Sequence, residues 1–202
     1  MIGDLGYNNL YNQHERVKMG TEQTVKFNMY EMEYRGGAAE SDLSPATFDE
    51  KYYERYKNLI DDCFYEMRKA LNLRPYEKHS LALNDLGELI KQRGNIFLLL
   101  DGDEIVGSVS CFEKIEDVAV NLKYQRQGYG RKLMKFALSY MQKRGDFPIK
   151  LTVTKWNKNA IALYKSLGFE IVKEATLEGV NTKDADGNWS FGFTTTGELN
   201  VR

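Results

Sequence analysis

The chain is poor in the residues on which secreted and metal-dependent proteins are built. Its 202 residues include two cysteines, Cys63 and Cys111. Two cannot make a disulfide framework, which points to a reducing, cytoplasmic setting. The two histidines, His14 and His79, have no metal-ligand spacing to each other or to the cysteines, so no metal is expected. No apolar run approaches the roughly 18 to 20 residues that span a bilayer. Residues 1–7 combine no charged start with an apolar stretch, so neither a membrane anchor nor a secretion signal is read. Charge of one sign is also missing. With 28 Lys and Arg against 29 Asp and Glu the net charge is −1, which argues against a nucleic-acid binder working through a broad basic face. Internal repeats and low-complexity tracts are absent. What remains is a 42% apolar chain, enough for the core of one domain over residues 23–202. The polar, glycine- and asparagine-punctuated residues 1–22 read as an extension.

Local patterns divide that domain into alternating elements. Val25 to Tyr34 is rich in strand formers, with an alternation that slips between Met29 and Tyr30. Ser44-Pro45-Ala46 reads as a helix start. From Phe48 to Leu73 apolar residues recur at helical spacing until Pro75. Leu81 to Arg93 reads as a second helix, closed by Gly94. Ile96 to Leu100 and Ile105 to Ser110 flank a turn at Asp101-Gly102-Asp103-Glu104 and predict a hairpin. Ile115 to Val120 is a strand and Arg131 to Arg144 an amphipathic helix. Ile149 to Val153 is a strand, Asn159 to Leu167 a helix ended by Gly168, and Phe169 to Ala175 and Trp189 to Thr195 are strands. The order β-α-α-β-β-β-α-β-α-β-β predicts an α/β (α+β) fold.

The segment Gln125-Arg126-Gln127-Gly128-Tyr129-Gly130 carries the chemistry. It lies where a strand turns into a helix. Two glycines let the backbone approach a ligand closely, and the helix start offers unpaired N–H groups at a positive dipole end. That is an anion cradle suited to a diphosphate, with Arg126, Arg131, Lys132 and Lys135 nearby and Arg131 the first choice for a phosphate. The spacing does not fit a dinucleotide fold, because no third glycine follows, and no nucleoside-triphosphate loop is present.

The segment resembles the (Gln/Arg)-x-x-Gly-x-(Gly/Ala) loop of the GNAT superfamily of N-acyltransferases. Residues 157–169, Asn-Lys-Asn-Ala-Ile-Ala-Leu-Tyr-Lys-Ser-Leu-Gly-Phe, are similar to a second pattern of that family, with Asn157, Ala160, Tyr164, Gly168 and Phe169 in register. The resemblance covers residues 95–175 well and residues 24–94 by element order alone. It implies a mixed, mostly antiparallel central sheet flanked by helices. It also implies acetyl-coenzyme A as acyl donor, a primary amine of a small molecule or protein as acceptor, and no metal. A homodimer stays open. The loop Gln125, Arg126, Gln127, Gly128, Tyr129, Gly130, Arg131 and Lys132 would hold the pyrophosphate. The backbone of Val118, Ala119 and Val120 would meet the pantetheine arm, with Asn157 and Ala160 beside it.

An amine with a pKa of about 10.4 is neutral in roughly one molecule in a few thousand at pH 7, so a base is useful. Glu116, on the strand leading to the loop, is the first choice, with Asp117 and Glu113 as alternatives. An N–H near Val118 would meet the charge developing on the carbonyl oxygen. By its register in the family pattern Tyr164 would protonate the departing thiolate, since a thiol near 8.5 and a phenol near 10 are close in pKa. Tyr52, Tyr53, Tyr56 and Tyr65 could line an acceptor pocket or the core, and residues 176–188 could form an acceptor-side loop. The rival reading is a catalytically silent coenzyme A-binding sensor or partner-binding module. A third is a nucleotide binder using the same cradle.

Overall fold

The computed structural model describes residues 21–77 and 85–194. Residues 1–20, both histidines and the expected start of the second helix at Leu81 lie outside the described residues, while Glu22, read as the end of the extension, is the first residue of a strand.

β1 (Glu22–Tyr34) opens the described chain, and β2 (Ala46–Thr47) is a two-residue strand. A single 3-10 turn, Glu50–Tyr52, leads into α1 (Tyr53–Ala70), and α2 spans Leu86–Gln92. β3 (Ile96–Asp101) and β4 (Glu104–Cys111) form the expected hairpin, with Gly102 at φ +58° in its turn. β5 (Ile115–Val120), α3 (Tyr129–Arg144), β6 (Lys150–Thr154), α4 (Lys158–Ser166), β7 (Phe169–Lys183) and β8 (Trp189–Phe193) complete it.

Three local expectations are corrected. Pro45 precedes β2, which pairs with β3, and the helical run is instead opened by Asp49, whose carboxylate accepts from the Lys51 N–H at 3.1 Å. A strand pairing outcompetes the Ser-Pro start signal. Gly94 sits in a 3-10 turn, Arg93–Asn95, outside the left-handed region, so α2 ends by tightening. Residues 176–183 are no loop. They prolong β7, because they pair with β1 through Glu22↔Thr182. Only Asp184 to Asn188 turns, held by the Asp184 carboxylate accepting from the N–H groups of Asp186 and Asn188.

The eight strands form one sheet in the order β2-β3-β4-β5-β6-β1-β7-β8. Every neighbouring pair is antiparallel except β5–β6. β1 lies between β6 and β7, with a register shift against β7 between Glu31 and Met32. The alternation slips because the covered face changes along β1: Val25, Phe27 and Met29 pack in one cluster, Tyr30, Met32 and Tyr34 in another.

Two large cores cover the two faces, and a smaller cluster of Val25, Phe27 and Leu73 lies apart from them. α3 and α4 bring Leu133, Met134, Leu138, Met141, Ile161 and Tyr164 onto Met32, Val109, Ile115, Leu151 and Phe169. α1 and α2 bring Tyr52, Tyr56, Leu59, Ile60 and Leu89 onto Leu98, Ile105 and Ala119. Leu133, Met134, Leu138 and Met141 are at most 1% exposed. Each such side chain stabilises by about 1.5 to 3 kcal/mol, so the helix bearing the glycine loop is anchored firmly. Gly107 makes its close approach workable. A Cβ there would stand 2.6 Å from the Ala119 carbonyl oxygen and 2.9 Å from Leu133 Cδ1.

Candidate active site

The site begins where the one parallel pairing fails. β5 and β6 share a single register pair, Ile115↔Leu151. Beyond it the β6-side edge of β5 has no strand partner. On the β4 side Asn121 donates to Val106 O at 2.9 Å. Hydrogen-bonding direction alternates along a strand. The backbone of Ala119, opposite Ser108, therefore also points to β4, while Val118 and Val120 point into the opening. The three residues read together as an arm-binding edge thus divide. Val118 and Val120 offer free N–H groups, while Ala119 contributes a side chain buried under α1. The Val120 carbonyl accepts from Gln125 Nε2 at 3.0 Å and from the Cys63 thiol at 3.1 Å. Burial pushes that thiol up to about 11, so Cys63 is protonated and acts as a donor. Burial likewise pushes Cys111 up to about 12.

A bulge lies just before this edge. The β4–β5 register shifts between Ser108 and Ser110, and Asp117 adopts φ +47°. Left-handed backbone is uncommon for a non-glycine residue, though Asp tolerates it better than most. The extra residue breaks the alternation, so Glu116 and Asp117 both lie close enough to raise the pKa of the Tyr56 phenol on α1. Glu116 stands opposite Ser110 and 3.5 Å from Lys114. Its carboxyl is raised above the ordinary range, first by burial and then, against the pull of Lys114, by Asp117 and Glu113. The bulge was not foreseen, and Tyr56, read as acceptor-pocket or core, was not placed beside these carboxylates. The one signal for the bulge is two consecutive carboxylates inside an otherwise apolar strand.

At the end of β5 a 3-10 turn, Leu122–Tyr124, leads into the glycine loop. Arg126 at φ +63° and Gly128 at φ +86° turn the chain into α3. Lys132 donates to Gly128 O at 3.2 Å. Among the described residues the N–H groups of Arg126, Gln127, Gly128, Tyr129, Gly130 and Arg131 meet no protein acceptor. These amides, at a helix start with no acidic residue in its first turn, fit a diphosphate. The side chains are partly committed elsewhere. Gln127 Nε2 donates to Lys123 O, Arg131 to Ser166 Oγ at 2.7 Å, and Lys132 lies over the Tyr129 ring. Arg131, Lys132 and Lys135 with Gly128 wall a cavity of about 360 Å³, closed opposite by Glu40, Ser41 and Asp42. A cavity of about 420 Å³ between α1 and the β3–β4 turn, lined by Arg55, Asp62 and Glu104 among others, lacks such amides.

α4 supplies the opposite wall. Asn157 caps it, accepting from the Ala160 N–H at 3.1 Å, so the side chain does the local work its residue type favours. Ala160 packs against the α3–α4 core. Tyr164 is 8% exposed, its ring 6.0 Å from that of Phe169. Its hydroxyl has no hydrogen-bond partner among the described residues, and burial pushes the phenol up to about 12. It is fully protonated at neutral pH. Tyr52 and Tyr56 lie in the core that α1 forms with the sheet, so neither lines an open acceptor pocket.

Comparison with known proteins bears on the family and the fold. The family model described as "Acetyltransferase (GNAT) family" matches residues 53–169. The chain belongs to that family, whose members are acetyl-coenzyme A-dependent N-acyltransferases. It is 30% identical over 127 residues to the [Ribosomal protein bS18]-alanine N-acetyltransferase of Escherichia coli K12, covering 61% of this chain and 81% of that protein. A shorter match, 38% identical over 61 residues, links it to Thialysine N-epsilon-acetyltransferase of Bos taurus, covering 30% of this chain and 36% of that protein. In fold it is similar to a putative GNAT-family acetyltransferase from Novosphingobium aromaticivorans, with a TM-score of 0.57 at 16% identity over 86% of this chain and 68% of that one. Among the described residues no group of metal-ligating side chains occurs, and no helix is long and apolar enough to cross a membrane.

Proposed function

We propose that this acyltransferase moves the acetyl group of acetyl-coenzyme A directly onto a primary amine. The observation that carries the reading is the run of unclaimed amides from Arg126 to Arg131, continuous with the free β5 edge at Val118 and Val120. The amides would hold the donor's diphosphate, with Arg131, Lys132 and Lys135 adding charge from the cavity wall. The edge would bind the amide-rich arm as an added strand does. The donor supplies an activated thioester; the chain's residues supply position and protons.

Glu116 takes the proton of the attacking amine, its raised pKa bringing it nearer the working pH of a base. An N–H of the bulged strand near Val118 meets the charge on the carbonyl oxygen. Tyr164, protonated at neutral pH, gives its proton to the departing thiolate, and Asn157 orders the helix that carries it. The relatives named above act on an alanine of a ribosomal protein and on thialysine. Both names specify N-acetylation, which supports an amine acceptor without choosing between small molecule and protein.

The test is thiol release from acetyl-coenzyme A with a panel of lysine-like amines and peptides bearing a free N-terminus. Release above background with at least one amine is expected. Tight coenzyme A binding with no release for any amine would refute turnover.

A further inference from the structure

Four side-chain atoms among the described residues are buried without a hydrogen-bond partner: the hydroxyls of Tyr56, Ser110 and Thr154, and Nε of Arg74. A buried hydroxyl left unpaired costs stability and calls for an explanation. Tyr56 and Ser110 are the informative pair. Tyr56 is 0% exposed and Ser110 1%. They come from different elements, α1 and β4, yet meet. Ser110 stands directly opposite Glu116 in the β4–β5 ladder, so the two side chains share the face that α1 covers. The Ser110 hydroxyl and both bulge carboxylates lie close enough to act on the Tyr56 phenol. Two hydroxyls that touch each other, and that meet no third group among the described residues, are thus packed behind the two carboxylates.

We propose that Tyr56 and Ser110 are positioning residues, holding the Glu116 carboxylate in its proton-accepting orientation when the acceptor amine is bound. The inference rests on Glu116 being the base. Hydroxyls are rotors and can donate without moving the backbone. Ser110 Oγ–H turns to Glu116 from across the ladder, and the Tyr56 O–H serves Ser110 or Asp117. The proton balance is simple. One N–H proton of the amine passes to Glu116 as the N–C bond forms. The C–S bond breaks with its electron pair on sulfur, which takes a proton from Tyr164. The charged and titratable groups facing Glu116 are Lys114, Asp117 and Glu113 from its own segment and Tyr56 from α1. Donors to the charged carboxylate favour that form, so removing them raises the pH at which the base becomes available.

The experiment compares Tyr56→Phe and Ser110→Ala with Glu116→Gln, reading kcat and KM across pH together with Tm. For Tyr56→Phe the expected result is a roughly tenfold lower kcat. KM for acetyl-coenzyme A should be unchanged and the acidic limb of the rate profile displaced to higher pH. Tm should change little, because the aromatic ring and its packing stay in place. Ser110→Ala displaces the same limb in the same direction, and it decides the matter should Tyr56→Phe fold poorly. A lower kcat with an unmoved limb and a lower Tm marks mere packing and overturns the proposal, as does full activity in both variants. If Glu116→Gln leaves turnover intact, the base assignment falls and takes this inference with it. If it abolishes the limb while both hydroxyl variants keep it in place, the inference alone falls.

Discussion

Replacing Gly128 by alanine is the sharpest test of the cradle, because the structure separates its conformational effect from its steric one. Gly128 holds φ +86°, and a Cβ built there meets nothing within 4 Å. The penalty is therefore left-handed backbone alone, about 1 to 2 kcal/mol. For a chain of this size 1 kcal/mol moves Tm by roughly 2 to 4 °C, so a fall of about 2 to 8 °C is expected if the loop keeps its shape. If the loop relaxes instead, the Tm loss shrinks, but the amides of Gly128 to Arg131 no longer converge. Either way KM for acetyl-coenzyme A should rise, about tenfold for 1.4 kcal/mol of lost binding. Gly130 is the control. It lies in the first turn of α3, outside the left-handed region, and its Cβ would be 3.4 Å from Leu163 Cδ2. Alanine there gains up to about 1 kcal/mol of helix propensity, so Tm should hold or rise, which isolates the backbone penalty at Gly128. The measurements are thermal unfolding by circular dichroism and initial rates against donor concentration. Gly128→Ala with unaltered KM and kcat would show that the diphosphate binds elsewhere.

Three further outcomes follow from the same geometry. Tyr164→Phe removes the proton donor and should lower kcat at least tenfold with KM for the donor unchanged; steady-state kinetics with one amine decides it. Glu116→Gln should lower kcat/KM by about a hundredfold or more and abolish the rise of rate with pH. Because burial raises the Glu116 pKa in the folded state, the fold holds that proton longer than the unfolded chain. Its contribution to stability is present below the ordinary carboxylate range and lost as pH climbs through the raised value, so Glu116→Gln should narrow the Tm difference between acid and neutral pH. Gly107→Ala forces a Cβ to 2.6 Å from the Ala119 carbonyl oxygen. Overpacking against backbone costs typically 1 to 3 kcal/mol, so Tm should drop by several degrees; an unchanged Tm would refute the close-packing argument.

Local order was written plainly in the chain. Asp101-Gly102 turns the hairpin, the apolar spacing of Leu133 to Met141 makes α3, and the glycines at 128 and 130 mark the loop. These follow from backbone preferences and short-range periodicity, which neighbouring residues settle among themselves. Gly128 is left-handed wherever a strand must turn that sharply into a helix, and Asn157 caps α4 because its side chain reaches the third N–H beyond it.

The candidate site needed more than its residues. Glu116 and Asp117 read as consecutive strand positions, and consecutive strand residues face opposite ways. Only the bulge against β4 lets both act on Tyr56, some sixty residues earlier in the chain. Tyr56 itself looked like one tyrosine of a helical stripe, and nothing local distinguishes it from Tyr52.

By itself the chain of amino acids determined the elements, the glycine loop and the membership of Tyr164 in a helix that ends at Gly168, because each depends on residues within a few positions. The tertiary structure decided the insertion of β1 between β6 and β7, the parting of β5 from β6 and the grouping of Glu116, Asp117, Tyr56 and Ser110. Those depend on which distant elements bury each other's apolar faces, a competition among pairings well separated in the chain that no local pattern encodes.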